Sequence, residues 1–147
     1  MKPSPSSNPK ILLVDDNPDG LLVRRSLLEE LGYSVQIAVN GEEGLKLFET
    51  SKFDVVVTDF RMPRMDGKQL IERIRILDPH ARIILLSGFV EPLGLTEQNT
   101  GADAVIAKSS HEPAHLTRSV KRLVNRGPRK PPASQPSPPQ QARAANG

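Results

Sequence analysis

Residues 11–18 read Ile11-Leu12-Leu13-Val14-Asp15-Asp16-Asn17-Pro18. Four consecutive apolar residues suit a short strand covered on both faces. Two carboxylates follow at once. Asn17 is placed as a helix N-cap, and Pro18 as the first helical residue, where its missing N–H costs nothing. Leu21, Leu28 and Leu31 then recur at helical spacing until Gly32 closes the segment. The stretch is one strand–helix unit with an acidic strand end at its centre.

The same unit recurs along the chain. Val35-Gln36-Ile37-Ala38-Val39 reads as a second strand. Asn40 and Glu43 form a capping-box pattern that opens a helix reaching about Thr50. Val55-Val56-Val57 is a third strand, and Leu70, Ile71, Ile74 and Leu77 mark a helix stopped by Asp78-Pro79. Ile83-Ile84-Leu85-Leu86 and Ala104-Val105-Ile106-Ala107 are the fourth and fifth strands. Leu116, Val120, Leu123 and Val124 predict a last helix ending before Gly127. The segment from Glu91 to Thr100 contains Pro92 and Gly94 and has a poor apolar stripe, so its helix is expected to be short or mobile. Five apolar strands, each followed by a helix, predict an α/β fold: a doubly wound five-stranded parallel sheet with right-handed crossovers. Ligands of such sheets bind outside the C-terminal ends of the strands.

Composition narrows the chemistry. The chain has 147 residues and no cysteine, which excludes disulfides, zinc–thiolate sites and a cysteine nucleophile. Its net charge of +3 points at first to nucleic acid or an acidic membrane surface. The charge is segregated, however. Residues 10–112 carry 12 basic and 17 acidic residues, whereas 113–147 carry seven basic residues and no acid. Six of the 14 prolines lie between Pro128 and Pro139. The reading is a disordered arm at 1–9, a domain at 10–126 and a disordered, proline-rich basic tail at 127–147. The first nine residues do not form a secretory signal, and no apolar run reaches the ~18 residues of a membrane span. A cytoplasmic location is expected.

The strand ends concentrate the functional residues. Asp15 and Asp16 follow the first strand, Asp59 the third, Ser87 the fourth and Lys108 the fifth. Two unit charges ~4 Å apart repel by about 4 kcal/mol at an effective dielectric of ~20, so clustered carboxylates need a cation. Without histidine or cysteine among them, they suit a hard oxygen-bound ion, and the expected ion is Mg²⁺. A phosphoryl group could then sit among Mg²⁺, Lys108 and the Ser87 hydroxyl, next to a carboxylate able to attack phosphorus.

Together with Val55-Val56-Val57-Thr58-Asp59-Phe60-Arg61-Met62-Pro63-Arg64-Met65-Asp66-Gly67, Leu86-Ser87-Gly88 and Gly101-Ala102-Asp103-Ala104 up to Lys108, this pattern resembles the receiver domain of two-component response regulators over roughly residues 10–126. The resemblance implies a flavodoxin-like fold and a phosphoacceptor role for Asp59, fed by a sensor histidine kinase or histidine phosphotransfer protein. It implies Asp16 as a direct Mg²⁺ ligand, Asp15 as a ligand acting mainly through water, and the Arg61 backbone carbonyl as a third. Ser87 and Lys108 are implied to hold phosphoryl oxygens, with Gly88 leaving room for the group. The expected protein is a stand-alone receiver, not an enzyme beyond taking up and losing its own phosphoryl group. Its output is expected through protein contacts on the face formed by the fourth helix, fifth strand and fifth helix.

Two positions depart from the family pattern. Val105 stands where an aromatic usually swings inward, and Ser109 stands where a proline with a cis bond usually follows the lysine. At Ser109 the expectation is a trans bond with a shifted loop, or a strained cis bond. Phe89 is expected to flank the mouth of the site. His80, His111 and His115 read as exposed. Arg24, Arg25, Arg73 and Arg75 read as solvated helix faces, and Arg118, Lys121, Arg122 and Arg126 as cations complementing the last helix's dipole. Two other functions compete. A haloacid-dehalogenase-like phosphatase also uses an aspartyl phosphate, but places a second Asp where Arg61 stands. The basic end could bind nucleic acid weakly and salt-sensitively, although specific DNA binding is not expected.

Overall fold

The apolar runs become five parallel strands, β1 (Lys10–Val14), β2 (Ser34–Ala38), β3 (Val55–Asp59), β4 (Ile83–Ser87) and β5 (Ala104–Ala107), in a computed structural model that describes residues 8–88 and 94–126. They lie in the order β2-β1-β3-β4-β5. Every neighbouring pair is parallel, as near-continuous apolar sequence requires when both faces are covered. The register aligns the C-terminal ends: Val14 pairs with Thr58, Asp59 with Leu86, and Ser87 with Ala107. The residues after β1 and β5 therefore emerge on the same edge as Asp59 and Ser87.

Alternate strand residues face opposite layers. Ile11, Leu13, Val55, Val57, Ile84, Leu86 and Ile106 form one core with Leu21 and Leu28 of α1 (Pro18–Glu30) and with Leu116, Val120 and Leu123 of α5 (Glu112–Val124). Leu12, Val14, Val56, Ile83 and Leu85 form the other with Leu70, Ile71 and Ile74 of α3 (Gly67–Leu77). Leu45, Leu47 and Phe48 of α2 (Gly41–Thr50) pack against that second core. Burying one such Leu or Ile side chain contributes about 1.5–3 kcal/mol. The doubly wound sheet thus follows directly from the strand–helix alternation.

The helix starts are set by side chains. Asn17 accepts from the N–H groups of Asp19 and Gly20 at 3.0 and 3.4 Å. Asn40 accepts from Glu43 N–H at 2.7 Å, while the Glu43 carboxylate reaches back one residue further than expected, to Val39 N–H at 2.8 Å. Asp66 and Gln69 form a full capping box at the start of α3. In the described part of the segment expected to hold a short helix, α4 (Glu97–Thr100) has four residues, begun by Thr96 and ended by Gly101 in the left-handed region at φ +83°. Phe89 and residues 91–93 lie outside the described residues, as do the arm up to residue 7 and the tail from 127. No described helix is long and apolar enough to cross a membrane.

Arg75 corrects one expectation. It is not a solvated side chain but a clamp from α3 to the start of β5. Its guanidinium donates to the carbonyls of Gly101, Pro79 and Ala81 and pairs with Asp103 at 3.2 Å. One planar fork of donors thus reaches carbonyls of the loop before β4, at Pro79 and Ala81, and of the loop before β5, at Gly101. Arg25 and Arg73 are exposed, and Arg25 forms an i,i+4 pair with Glu29.

Gly67 marks the tightest approach near the functional edge. Its N–H donates to Phe60 carbonyl at 2.8 Å, and an added Cβ would lie 2.4 Å from the Asp59 carbonyl oxygen. Backbone cannot yield as a flexible side chain can. Gly67→Ala is expected to destabilise the fold by about 2 kcal/mol, within the range for overpacked sites, measured as a lowered urea midpoint.

Candidate functional site

The parallel register delivers three carboxylates to one point. Asp15, Asp16 and Asp59 each present an oxygen within 4.8 Å of the others, and they form the one such acidic group among the described residues. Asp15 and Asp59 are buried, at 3% and 5% exposure, while Asp16 is exposed. Asp16 and Arg61 line one shallow cleft with Phe60, Met62, Pro63 and Asp66. The Asp66 carboxylate in that cleft already serves as the cap of α3.

Asp15 is the most constrained of the three. Its N–H extends the β1–β2 ladder to Ala38 carbonyl at 3.1 Å. Its Oδ1 accepts from Asn17 N–H at 3.0 Å, and its Oδ2 accepts from Arg24 Nη1 at 2.8 Å. Arg24 was expected on a solvated face; instead its side chain is 12% exposed and faces the sheet edge. Its Nε and Nη2 reach the Glu112 carboxylate in the first turn of α5 at 2.8 and 3.1 Å. Burial alone would favour loss of the guanidinium proton, but Glu112 and Asp15 outweigh it and hold the cation firmly. Sequence reasoning missed both Arg24 and Glu112. One signal was available: Gly20 lies four residues before Arg24, on the same helix face.

Lys108 follows β5. Its N–H donates to Ser87 carbonyl at 3.0 Å, continuing the β4–β5 ladder, and its ammonium pairs with Asp59 Oδ1. Ser87 is buried at 1% exposure, one residue beyond the Leu86 that pairs with Asp59. Four strand ends thus meet at one place: Asp15 and Asp16, Asp59, Ser87 and Lys108.

The departures also have a structural form. The described residues contain no cis peptide, so Lys108–Ser109 is trans. Ser109 builds the turn into α5 instead: its Oγ accepts from His111 N–H at 3.2 Å and its carbonyl from Glu112 N–H at 3.0 Å. Val105 is half-buried against the second core, and its N–H donates to Glu97 at 3.1 Å. His111 and His115 are exposed, with ring centres 6.2 Å apart. His80 differs from expectation: it is half-buried, and its buried Nδ1 has no partner among the described residues.

Burial pushes the Asp59 carboxyl above the usual carboxylate range. Lys108 pulls it back, the charge of Asp15 raises it again, and Lys108 and Arg24 attract the ionised form. The native state therefore holds this proton more tightly than the unfolded chain does. Stability falls as pH rises from the ordinary carboxylate value of about 3.9 towards the raised native value, and the deficit persists above it. A buried carboxylate cluster without nitrogen or sulfur donors suits a hard, oxygen-bound divalent ion, which would relieve this repulsion. Asp59→Asn is expected to raise the urea midpoint at pH 7 without divalent ions. The gain should vanish below the carboxylate range and reverse in excess Mg²⁺, where ligand binding stabilises the wild type.

The model of the family described as response regulator receiver domain matches residues 11–121. A gliding motility regulatory protein of Myxococcus xanthus is 34% identical over 121 residues, covering 78% of this chain and 15% of that protein. The chain spans less than half the length of this and other curated relatives that it matches. A CheY-like response regulator receiver domain protein from Methanospirillum hungatei has 32% identity and a TM-score of 0.75 over 82% of this chain and 96% of that one. The response regulator protein TrrA of Thermotoga maritima, solved in complex with Mg(2+)-BeF, has 34% identity and a TM-score of 0.70 over 78% of this chain and 98% of that one. With its parallel five-stranded sheet and its acidic strand edge, the chain belongs to the response regulator receiver domains of two-component signalling.

Proposed function

We propose that Asp59 accepts a phosphoryl group and that the chain signals by the lifetime of the resulting acyl phosphate. An Asp59 oxygen attacks phosphorus. The P–N bond of a phosphohistidine, or the P–O bond of a small acyl phosphate, breaks, and its electron pair leaves with the donor. Water later attacks the acyl phosphate, returning the Asp59 carboxylate and inorganic phosphate. One observation carries this reading: three carboxylate oxygens lie within 4.8 Å of each other, and the Lys108 ammonium is paired to one of the three carboxylates, that of Asp59.

Asp16 and Asp59 would hold magnesium directly, together with the Arg61 carbonyl, and Asp15 through water. The cleft shared by Asp16 and Arg61 supports that set. So does Asp15, both of whose oxygens already accept hydrogen bonds. Bound magnesium neutralises charge on the phosphoryl oxygens. The chain's own residues do the rest. Lys108 moves its ion pair from the carboxylate to a phosphoryl oxygen, and the Ser87 hydroxyl donates to another. In-line positioning and neutralisation of the phosphoryl oxygens' charge are what phosphoryl transfer demands most.

The donor is a sensor histidine kinase or a histidine phosphotransfer protein, and the setting is the cytoplasm. Output passes by protein contact through α4, β5 and α5. Val105 offers no aromatic ring to rotate there, so the readout differs from the family's usual one. The basic tail lies outside the described residues.

Incubation with acetyl phosphate and Mg²⁺, followed by intact-mass measurement, tests the proposal. Wild type should gain one phosphoryl group; Asp59→Asn should gain none, and chelation should abolish the gain. Lys108→Met should slow uptake roughly 100-fold, the scale for losing one preorganised charge-stabilising donor. An equal gain in Asp59→Asn would place the phosphoryl group elsewhere and overturn the assignment.

A further inference from the structure

We propose that Arg24 is a positioning residue of the acidic pocket: it holds back one oxygen of Asp15 and ties it, through Glu112, to the first turn of α5, so that a contact between α1 and α5 sets the pocket's affinity for Mg²⁺. This rests on the reading that the pocket holds Mg²⁺.

The geometry is specific. Arg24 uses Nη1 on Asp15 Oδ2 at 2.8 Å, and Nε and Nη2 on the two oxygens of Glu112 at 2.8 and 3.1 Å. The second of these contacts is a two-point fork on a carboxylate, the pairing that a guanidinium makes and an ammonium does not. All three side chains are largely withdrawn from water, at 12%, 4% and 11% exposure. Screening there is weaker than at an exposed pair.

A second feature shows that the helix makes room for this crossing. A Cβ on Gly20 would lie 2.9 Å from Arg24 Nη1 and 3.3 Å from Asp15 Oδ2. Glycine inside a helix costs about 1 kcal/mol relative to alanine. Here its missing side chain is the gap through which the guanidinium reaches the strand edge.

The charges then act in a fixed sense. Arg24 competes with a metal ion for Asp15 and repels it. Glu112 offsets Arg24, and so limits how strongly Arg24 opposes the metal. Coupling is reciprocal: a metal that draws on Asp15 weakens its hold on Arg24 and frees Arg24 for Glu112. Occupancy of the pocket is thereby felt at the start of α5, on the face from which Val105 offers no aromatic signal.

Isothermal titration of the full chain with MgCl₂ tests this, with thermal melts confirming that each variant folds. Arg24→Met combined with Glu112→Gln removes both charges, does not strand Glu112 as a buried acid, and frees Asp15 Oδ2 for the metal. It should bind Mg²⁺ a few-fold tighter than wild type, because the positive charge removed touches Asp15 directly while the negative charge removed with it lies one side chain further away. Glu112→Gln alone leaves Arg24 uncompensated and should bind several-fold weaker. Gly20→Ala keeps every charge but displaces the guanidinium, and should shift affinity in the same direction as the double variant. A merely structural role would not move the two glutamine-containing proteins in opposite directions. Equal affinities throughout, or weakening in all three variants, would overturn the role of Arg24 while leaving the metal site standing. A wild type that binds no Mg²⁺ would overturn the reading of the pocket itself.

Discussion

Repulsion among the carboxylates of Asp15, Asp16 and Asp59 is the constraint around which this strand edge is built. Like charges at such spacing repel by several kcal/mol at the dielectric of a protein surface. The fold sustains them because β1 and β3 are adjacent and end together, which leaves the three acids little room to separate. Their neighbours answer that charge. Lys108 comes from β5, and Arg24 comes from α1, so cations from two layers converge on acids from the sheet. The raised proton affinity of Asp59 reports that two fixed cations do not fully offset the burial of the cluster.

The acids have become unequal as a result. Asp15 is locked by Asn17 N–H and by Arg24, whereas Asp16 stands exposed beside the cleft. Asp59 is buried and paired with the Lys108 ammonium. Identical side chains thus acquire different surroundings from their positions along a strand end: one is anchored by hydrogen bonds, one faces solvent, and one is buried against a lysine. Division of this kind is how a fold makes several tasks from one residue type.

Much of this was legible in the chain. The strand runs at Ile11–Val14, Val55–Val57 and Ile83–Leu86 stand where the periodicity puts them. The strand-end residues were legible too, since the sequence position of a residue after a parallel strand already specifies its edge. Arg24 and Arg75 were not. An arginine on a helix reads as a solvated face unless its partner is known, and Glu112 lies 88 residues away. Arg75 is similar: it meets carbonyls of the loops around β4 and β5, which no local pattern announces.

Local periodicity and strand-end chemistry by themselves determined the parallel sheet, its functional edge and the acids, hydroxyl and lysine gathered there, because each depends on residues close together in sequence or on one repeated unit. Tertiary structure decided how those acids differ. Whether Asp15 is free or anchored depends on a guanidinium from the next helix, on a missing side chain at Gly20, and on a carboxylate in the last helix. Long-range ion pairing follows from where helices pack in space, and spacing along the chain carries no record of it.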